Sequence, residues 1–207
     1  MSEFIKKLNK LNANEIVLQM RNFARENNIP TVRDATLNLL LTLVGTKNPK
    51  RILEIGTAYG CSGVAMLLQC PTAKLITIEK DLDCADISRS NFKSANLFDR
   101  VELFEGDASE IIPMMEGKFD FIFLDGPKGH YYEYLPYLIN LLNVGGILFA
   151  DDVLFWGYIE SDKLTNRKHS TIYKSLRDYL NSVTTDERLL TTVLEIEDGV
   201  SISYRIK

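Results

Sequence analysis

From Arg51 onward the chain alternates short, apolar, β-rich runs with stretches of helical pattern, and no other property of the sequence narrows its fold as far. The runs are Arg51–Ile55, Lys74–Ile78, Val101–Phe104, Phe119–Leu124 and Gly146–Ala150, with helical stretches near 61–69, 83–95, 108–115 and 130–142. Phe121-Ile122-Phe123-Leu124 is unbroken rather than alternating, as in a strand covered on both faces. Strand–helix alternation of this kind builds a parallel sheet with right-handed crossovers. A helix over about Ser170–Leu180 then precedes Leu189–Glu195 and Val200–Ile206, two strands joined through Glu197-Asp198-Gly199, a hairpin signal. The expectation is an α/β chain: a Rossmann-like, doubly wound, seven-stranded sheet closed by a C-terminal antiparallel hairpin.

Residues 1 to about 46 read as N-terminal helices packed on that sheet. Ile16, Met20, Phe23 and Ala24 recur at three- and four-residue spacing, and Asn-Asn-Ile-Pro at 27–30 breaks the pattern. A leucine-rich run, Thr36–Val44, is expected to stop at Gly45. With 207 residues and no internal repeat, the whole of 1–207 fits one domain. Lys and Arg number 24 against 28 Asp and Glu, a net charge of −4, so bulk polyanion binding is excluded and nucleic-acid contact needs a local basic patch. Cys61, Cys70 and Cys84 are odd in number and lack metal-type spacing, which reads as reduced thiols. No apolar run reaches the roughly 18 residues of a membrane span, and the first residues lack the apolar stretch of a signal peptide. A cytoplasmic protein is expected. Residues 151–168 are expected to form a long loop, a length more often functional than decorative.

The strand ends carry the chemistry. The first run leads into Glu54-Ile55-Gly56-Thr57-Ala58-Tyr59-Gly60-Cys61-Ser62-Gly63, whose glycines permit a tight turn and close approach of a ligand. Ala58 stands where a dinucleotide fingerprint needs glycine, which argues against an NAD-dependent oxidoreductase. Glu79 closes the second strand, where an acid accepts both ribose hydroxyls. Gly106-Asp107-Ala108 closes the third, with Asp107 suited to an adenine amino group, to capping the next helix, or to both. In this order the three strand ends resemble class I S-adenosylmethionine-dependent methyltransferases.

Asp125 follows the fourth strand and Asp151-Asp152 the fifth, and a parallel sheet opens both ends onto one edge. Three crowded carboxylates call for a hard divalent cation, and oxygen-only ligation favours Mg²⁺, Mn²⁺ or Ca²⁺ over zinc. A binding module without catalysis would not need this cluster together with Lys128. Asp125-x-x-Lys128 followed by Asp151-Asp152 resembles the cation-dependent O-methyltransferases of catechol and caffeoyl-coenzyme A type, over roughly 30–207. The resemblance implies that Asp125, Asp151 and Asp152 hold the metal, that Lys128 is the base, and that the protein is a homodimer. Lys128-Gly129-His130-Tyr131 and Asp152-Val153-Leu154-Phe155-x-Gly157 further resemble a bacterial branch acting on 5-hydroxyuridine in tRNA. Position by position, that resemblance implies cofactor contacts at Val32, Ser62, Glu79, Asp107, Ala108 and Asp125, with Glu54, Gly56 and Tyr59 assigned to the same loop. Two positions depart from the family pattern: Asp152 stands where asparagine is usual, and Gly126 where alanine is.

Methyl transfer from a sulfonium is an in-line displacement that needs a well-placed oxygen nucleophile. A substrate with two vicinal oxygens would chelate the metal, as a catechol does and as 5-hydroxyuridine does through O5 and O4. Lys163, Arg167, Lys168, Lys174 and Arg177, with His169, form the best candidate phosphate patch, and Arg167 and Lys168 are its expected substrate contacts. Tyr131, Tyr132, Phe155, Trp156 and Tyr158 offer stacking surface. The N-terminal basic residues Lys6, Lys7, Lys10, Arg21 and Arg25 form no cluster in the sequence. The expected substrate is 5-hydroxyuridine in tRNA, the alternative a small catechol.

Overall fold

The five apolar runs become five parallel strands: β1 (Arg51–Ile55), β2 (Lys74–Glu79), β3 (Val101–Glu105), β4 (Phe119–Leu124) and β5 (Leu142–Ala150). The hairpin supplies β6 (Leu189–Leu194) and β7 (Val200–Arg205), antiparallel to each other, with β7 antiparallel to β5. The sheet order is β3-β2-β1-β4-β5-β7-β6. This is a computed structural model, and it describes residues 3–27, 29–160 and 169–207.

Side chains alternate between two buried faces, which is why the central runs are continuously apolar. Leu53, Ile76, Ile78, Ile122 and Leu124 face α7 (Tyr131–Leu141) and α8 (Ser170–Thr185), meeting Leu135, Leu138, Leu176 and Tyr179. Ile52, Leu75, Phe121 and Phe123 face the other way, against α3 (Asp34–Lys47) and α4 (Cys61–Gln69), through Leu37, Leu40, Val64 and Met66. Val17 of α2 (Glu15–Glu26) joins this second core. A short α1 (Glu3–Leu8) precedes α2. The remaining crossovers are α5 (Leu82–Ser94) and α6 (Ala108–Ile111).

Several boundaries differ from the pattern-based reading. α3 does not stop at Gly45. It runs on to Lys47 and ends at Asn48, whose backbone is left-handed (φ 48°) and whose N–H donates to the Val44 carbonyl at 2.9 Å. Gly45 instead lies against Gln69, where an added Cβ would sit 2.6 Å from Nε2. The expected 108–115 helix is one α-turn followed by a 3₁₀ turn over Ile112–Met114, because Pro113 cannot donate the next helical hydrogen bond. β5 starts at Leu142 and bulges between its pairings with Phe119 and Phe121. The three cysteines are free, two of them buried. No described helix is long and apolar enough to cross a membrane.

Candidate active site and metal centre

The carboxyl ends of the parallel strands are stitched together by main-chain hydrogen bonds. Asp125 N–H donates to the Ile55 carbonyl (2.9 Å), Gly56 N–H to Ile78 (3.1 Å) and Asp151 N–H to Leu124 (3.0 Å). Gly56 is left-handed (φ 96°), and a Cβ there would stand 2.4 Å from the Asp125 carbonyl oxygen. Only glycine lets the first loop lie this close to the fourth strand's end. The two motifs therefore share one wall of a cleft of about 620 Å³, which also takes in Glu79, Lys128, Asp151 and Asp152.

Asp125, Asp151 and Asp152 each turn an oxygen inward, and these atoms lie within 4.8 Å of one another. Asp151 is 3% exposed. Burial, reinforced by the neighbouring carboxylates, pushes its pKa up to about 8, and burial also raises that of Asp125. Among the described residues, two cations face the cluster. Lys128 Nζ lies 2.7 Å from Asp125 Oδ1 and 3.6 Å from Asp152 Oδ2, and an Arg33 guanidinium nitrogen lies 3.2 Å from Asp152 Oδ1. The two cations leave one acid without a counter-charge, in keeping with the raised Asp151 pKa, and a hard divalent cation fits the all-oxygen donor set. For Lys128, burial pulls the pKa down. The Tyr131 phenol and the Asp125 and Asp152 carboxylates outweigh it and hold the amine well above its ordinary value. As arranged here, Lys128 carries its proton; it can accept one from a substrate only after releasing its own, which neutralising the acids' charge favours.

Asp152 is itself left-handed (φ 55°), with its N–H donating to Asp151 Oδ1 at 2.8 Å. The turn it opens is fastened to the hairpin loop. Val153 N–H donates to the Gly199 carbonyl (3.0 Å), Leu154 N–H to Asp198 (2.9 Å), and Trp156 N–H to the buried Asp198 carboxylate. Tyr131 closes the base of the site, its hydroxyl lying 3.1 Å from the Leu124 carbonyl and 3.2 Å from that of Asp151.

Of the expected cofactor residues, Val32, Gly56, Glu79 and Asp125 line the cleft, and Tyr59 and Ser62 line a recess of about 40 Å³ continuous with it. Glu79 organises the glycine loop, accepting from Ala58 N–H at 2.7 Å and from the N–H groups of Lys80 and Asp81, each at 2.9 Å. Glu54 does not reach the cleft. It is fully buried and accepts hydrogen bonds from Ser62 Oγ (2.5 Å) and Thr77 Oγ1 (2.7 Å), so it supports Ser62 from behind. Asp107 and Ala108 stand at the next strand end, outside the cleft walls. Asp107 caps α6 through Ser109 N–H (2.9 Å) and pairs with Lys80 (2.6 Å), which holds its carboxyl well below the usual range.

The rim corrects the expected stacking surface. Tyr131 and Phe155 are buried core residues, whereas Trp156 (67% exposed), Tyr132 and Tyr158 remain open. Arg167, Lys168 and Lys163 lie outside the described residues. Of the rest of that basic segment, Lys174 shares a groove with Glu133 and Asp178, and Arg177 donates to the Tyr173 hydroxyl at 2.6 Å, so the described part is a mixed surface. Within the 30–33 segment the sequence pointed to Val32 but not to Arg33, which the segment carries across the cleft to Asp152. The only local sign of that crossing is the Pro30 break.

A family model described as O-methyltransferase matches residues 2–206. Tricin synthase 2 of Oryza sativa subsp. japonica is 31% identical over 186 residues, 86% of this chain, and the match spans 63% of that relative's length. A caffeoyl-CoA O-methyltransferase of Eucalyptus gunnii is 30% identical over 179 residues, covering 83% of this chain and 71% of the relative. The SAH-bound methyltransferase PaMTH1 of Podospora anserina superposes with a TM-score of 0.85 at 26% identity, over 96% of this chain and 91% of that one.

Proposed function

The chain belongs to the O-methyltransferase family, and from that premise we propose that it methylates one of two adjacent oxygens using S-adenosylmethionine and a divalent cation, with 5-hydroxyuridine in tRNA as substrate. The observation that carries the chemistry is the convergence of Asp125, Asp151, Asp152 and Lys128 on the cleft walled by the Gly56 loop. S-adenosylmethionine supplies an electrophilic methyl group, and a bound divalent cation supplies the charge that neutralises the three acids and acidifies a coordinated hydroxyl. Gly56, Glu79 and Ser62 orient the methyl donor. Asp125, Asp151 and Asp152 fix the acceptor, so that an oxygen–carbon bond forms as the carbon–sulfur bond breaks in line. Lys128 is placed to take the hydroxyl proton or to stabilise the oxyanion.

For the substrate, support comes from the Lys128–Tyr131 and Asp152–Gly157 motifs and from the exposed rings of Trp156, Tyr132 and Tyr158, which suit base stacking. A small phenolic substrate is the second reading, favoured by the caffeoyl-CoA relative. The test compares methylation of hydroxyuridine-containing tRNA with that of a catechol, with and without chelator, alongside metal binding by calorimetry. Chelator should abolish turnover, and Asp125→Ala and Asp151→Ala should each abolish metal binding. Asp152→Asn should retain both. Full activity in excess chelator refutes the metal, and preference for the catechol refutes the tRNA reading.

A further inference from the structure

Beside the active-site cleft lies a second opening of about 500 Å³, between α2, the 29–33 segment, the start of α3 and the hairpin loop. Its charged lining is Arg21, Arg25, Arg33, Asp34 and Glu197. Arg21 is 8% exposed and already held, donating to the Val32 carbonyl (2.6 Å) and pairing with Asp34 (2.5 Å). Arg33 bridges to Asp152 at the metal centre. Arg25 is exposed, stands one turn beyond Arg21 on the same face of α2, and makes no ion pair among the described residues. Arg21 and Arg33 are already met by carboxylates, which leaves Arg25 as the guanidinium of this opening with no carboxylate partner among the described residues. Thr31 and Arg33 line both clefts, so a ligand with its reacting oxygens at Asp152 can continue past Arg33 to Arg25.

We propose that this opening is a phosphate subsite for the substrate's tail, in which Arg25, supported by Arg21 and Arg33, holds a phosphate covalently linked to the ring being methylated. The planar guanidinium fork matches phosphate oxygens two at a time. The phosphate belongs either to an RNA backbone next to the target base or to a coenzyme A thioester. The proposal rests on the methyltransferase reading above and deepens it.

The test measures KM and kcat of wild type and Arg25→Gln with a hydroxyuridine RNA oligonucleotide, with caffeoyl-CoA and with free caffeate, which has no phosphate. Losing one charge-assisted contact should raise KM about tenfold for the phosphate-bearing substrate, leaving kcat and the caffeate KM unchanged. A rise with RNA alone identifies the backbone phosphate, and a rise with the thioester alone identifies the coenzyme; either upholds the subsite. An unchanged KM for both, or an equal rise for caffeate, overturns it. Should wild type methylate none of the three, the proposed function fails separately. The subsite is then judged by direct binding of a fluorescent RNA oligonucleotide and of coenzyme A, where a tenfold loss in Arg25→Gln upholds it and equal affinity overturns it.

Discussion

Replacing Glu54 by glutamine should make the protein's stability less sensitive to alkali. Glu54 is fully buried beneath the glycine loop, and burial, only partly offset by hydrogen bonds from Ser62 and Thr77, raises its pKa from 4.5 to about 7. Its folded value lies above its unfolded one. The carboxyl's contribution is therefore fully present below about pH 4.5 and is lost as the pH rises through about 7. At 1.36 kcal/mol for each pH unit between the two values, the loss amounts to about 3 kcal/mol, most of it between pH 5 and pH 8. Glutamine keeps the shape, accepts through its carbonyl, and donates through its amide to a hydroxyl that can turn to receive it. It has no proton to lose, so this part of the slope should vanish. Urea unfolding of wild type and Glu54→Gln at pH 5 and pH 8 reads the effect as a double difference in which the other titrating groups cancel. With a urea slope of about 2 kcal/mol/M, the midpoint of the variant should gain roughly 1 M on wild type between the two pH values. Parallel midpoints at both pH values would show that Glu54 is not held protonated by burial, and the argument would fail.

Glu79→Ala removes the acceptor of three backbone N–H groups and of the expected ribose hydroxyls, and should weaken S-adenosylmethionine binding by about 1.5–3 kcal/mol. Unchanged affinity by calorimetry in a folded variant refutes the assignment. Gly45→Ala should stabilise α3 by up to ~1 kcal/mol, because Gln69 is exposed and can swing aside, and Tm should rise by about 2–4 °C. A lower Tm would mean that the contact with Gln69 cannot relax.

Much of this protein was legible in its sequence because the information is local. Apolar runs such as Phe121–Leu124 declare strands by composition, and parallel topology carries every strand's carboxyl end to one edge. Linear order alone therefore predicted that Gly56, Glu79, Asp125, Asp151 and Asp152 would meet. The helix limits around Gly45 and Pro113 were misread by a few residues, since capping depends on which residue can enter a left-handed or 3₁₀ turn. What the sequence could not supply is set by contacts between layers. Arg33 meets Asp152 across 119 residues, and Arg21, Arg25 and Arg33, unremarkable in the linear chain, gather around one opening only when α2 packs beside the start of α3. Burial is decided in the same way. It turned Glu54 from a ligand candidate into an internal support and placed Tyr131 and Phe155 in the core. The acids gathered around Lys128 keep it protonated against the pull of that burial, because removal from water and the charges of neighbouring layers exist only in the folded molecule.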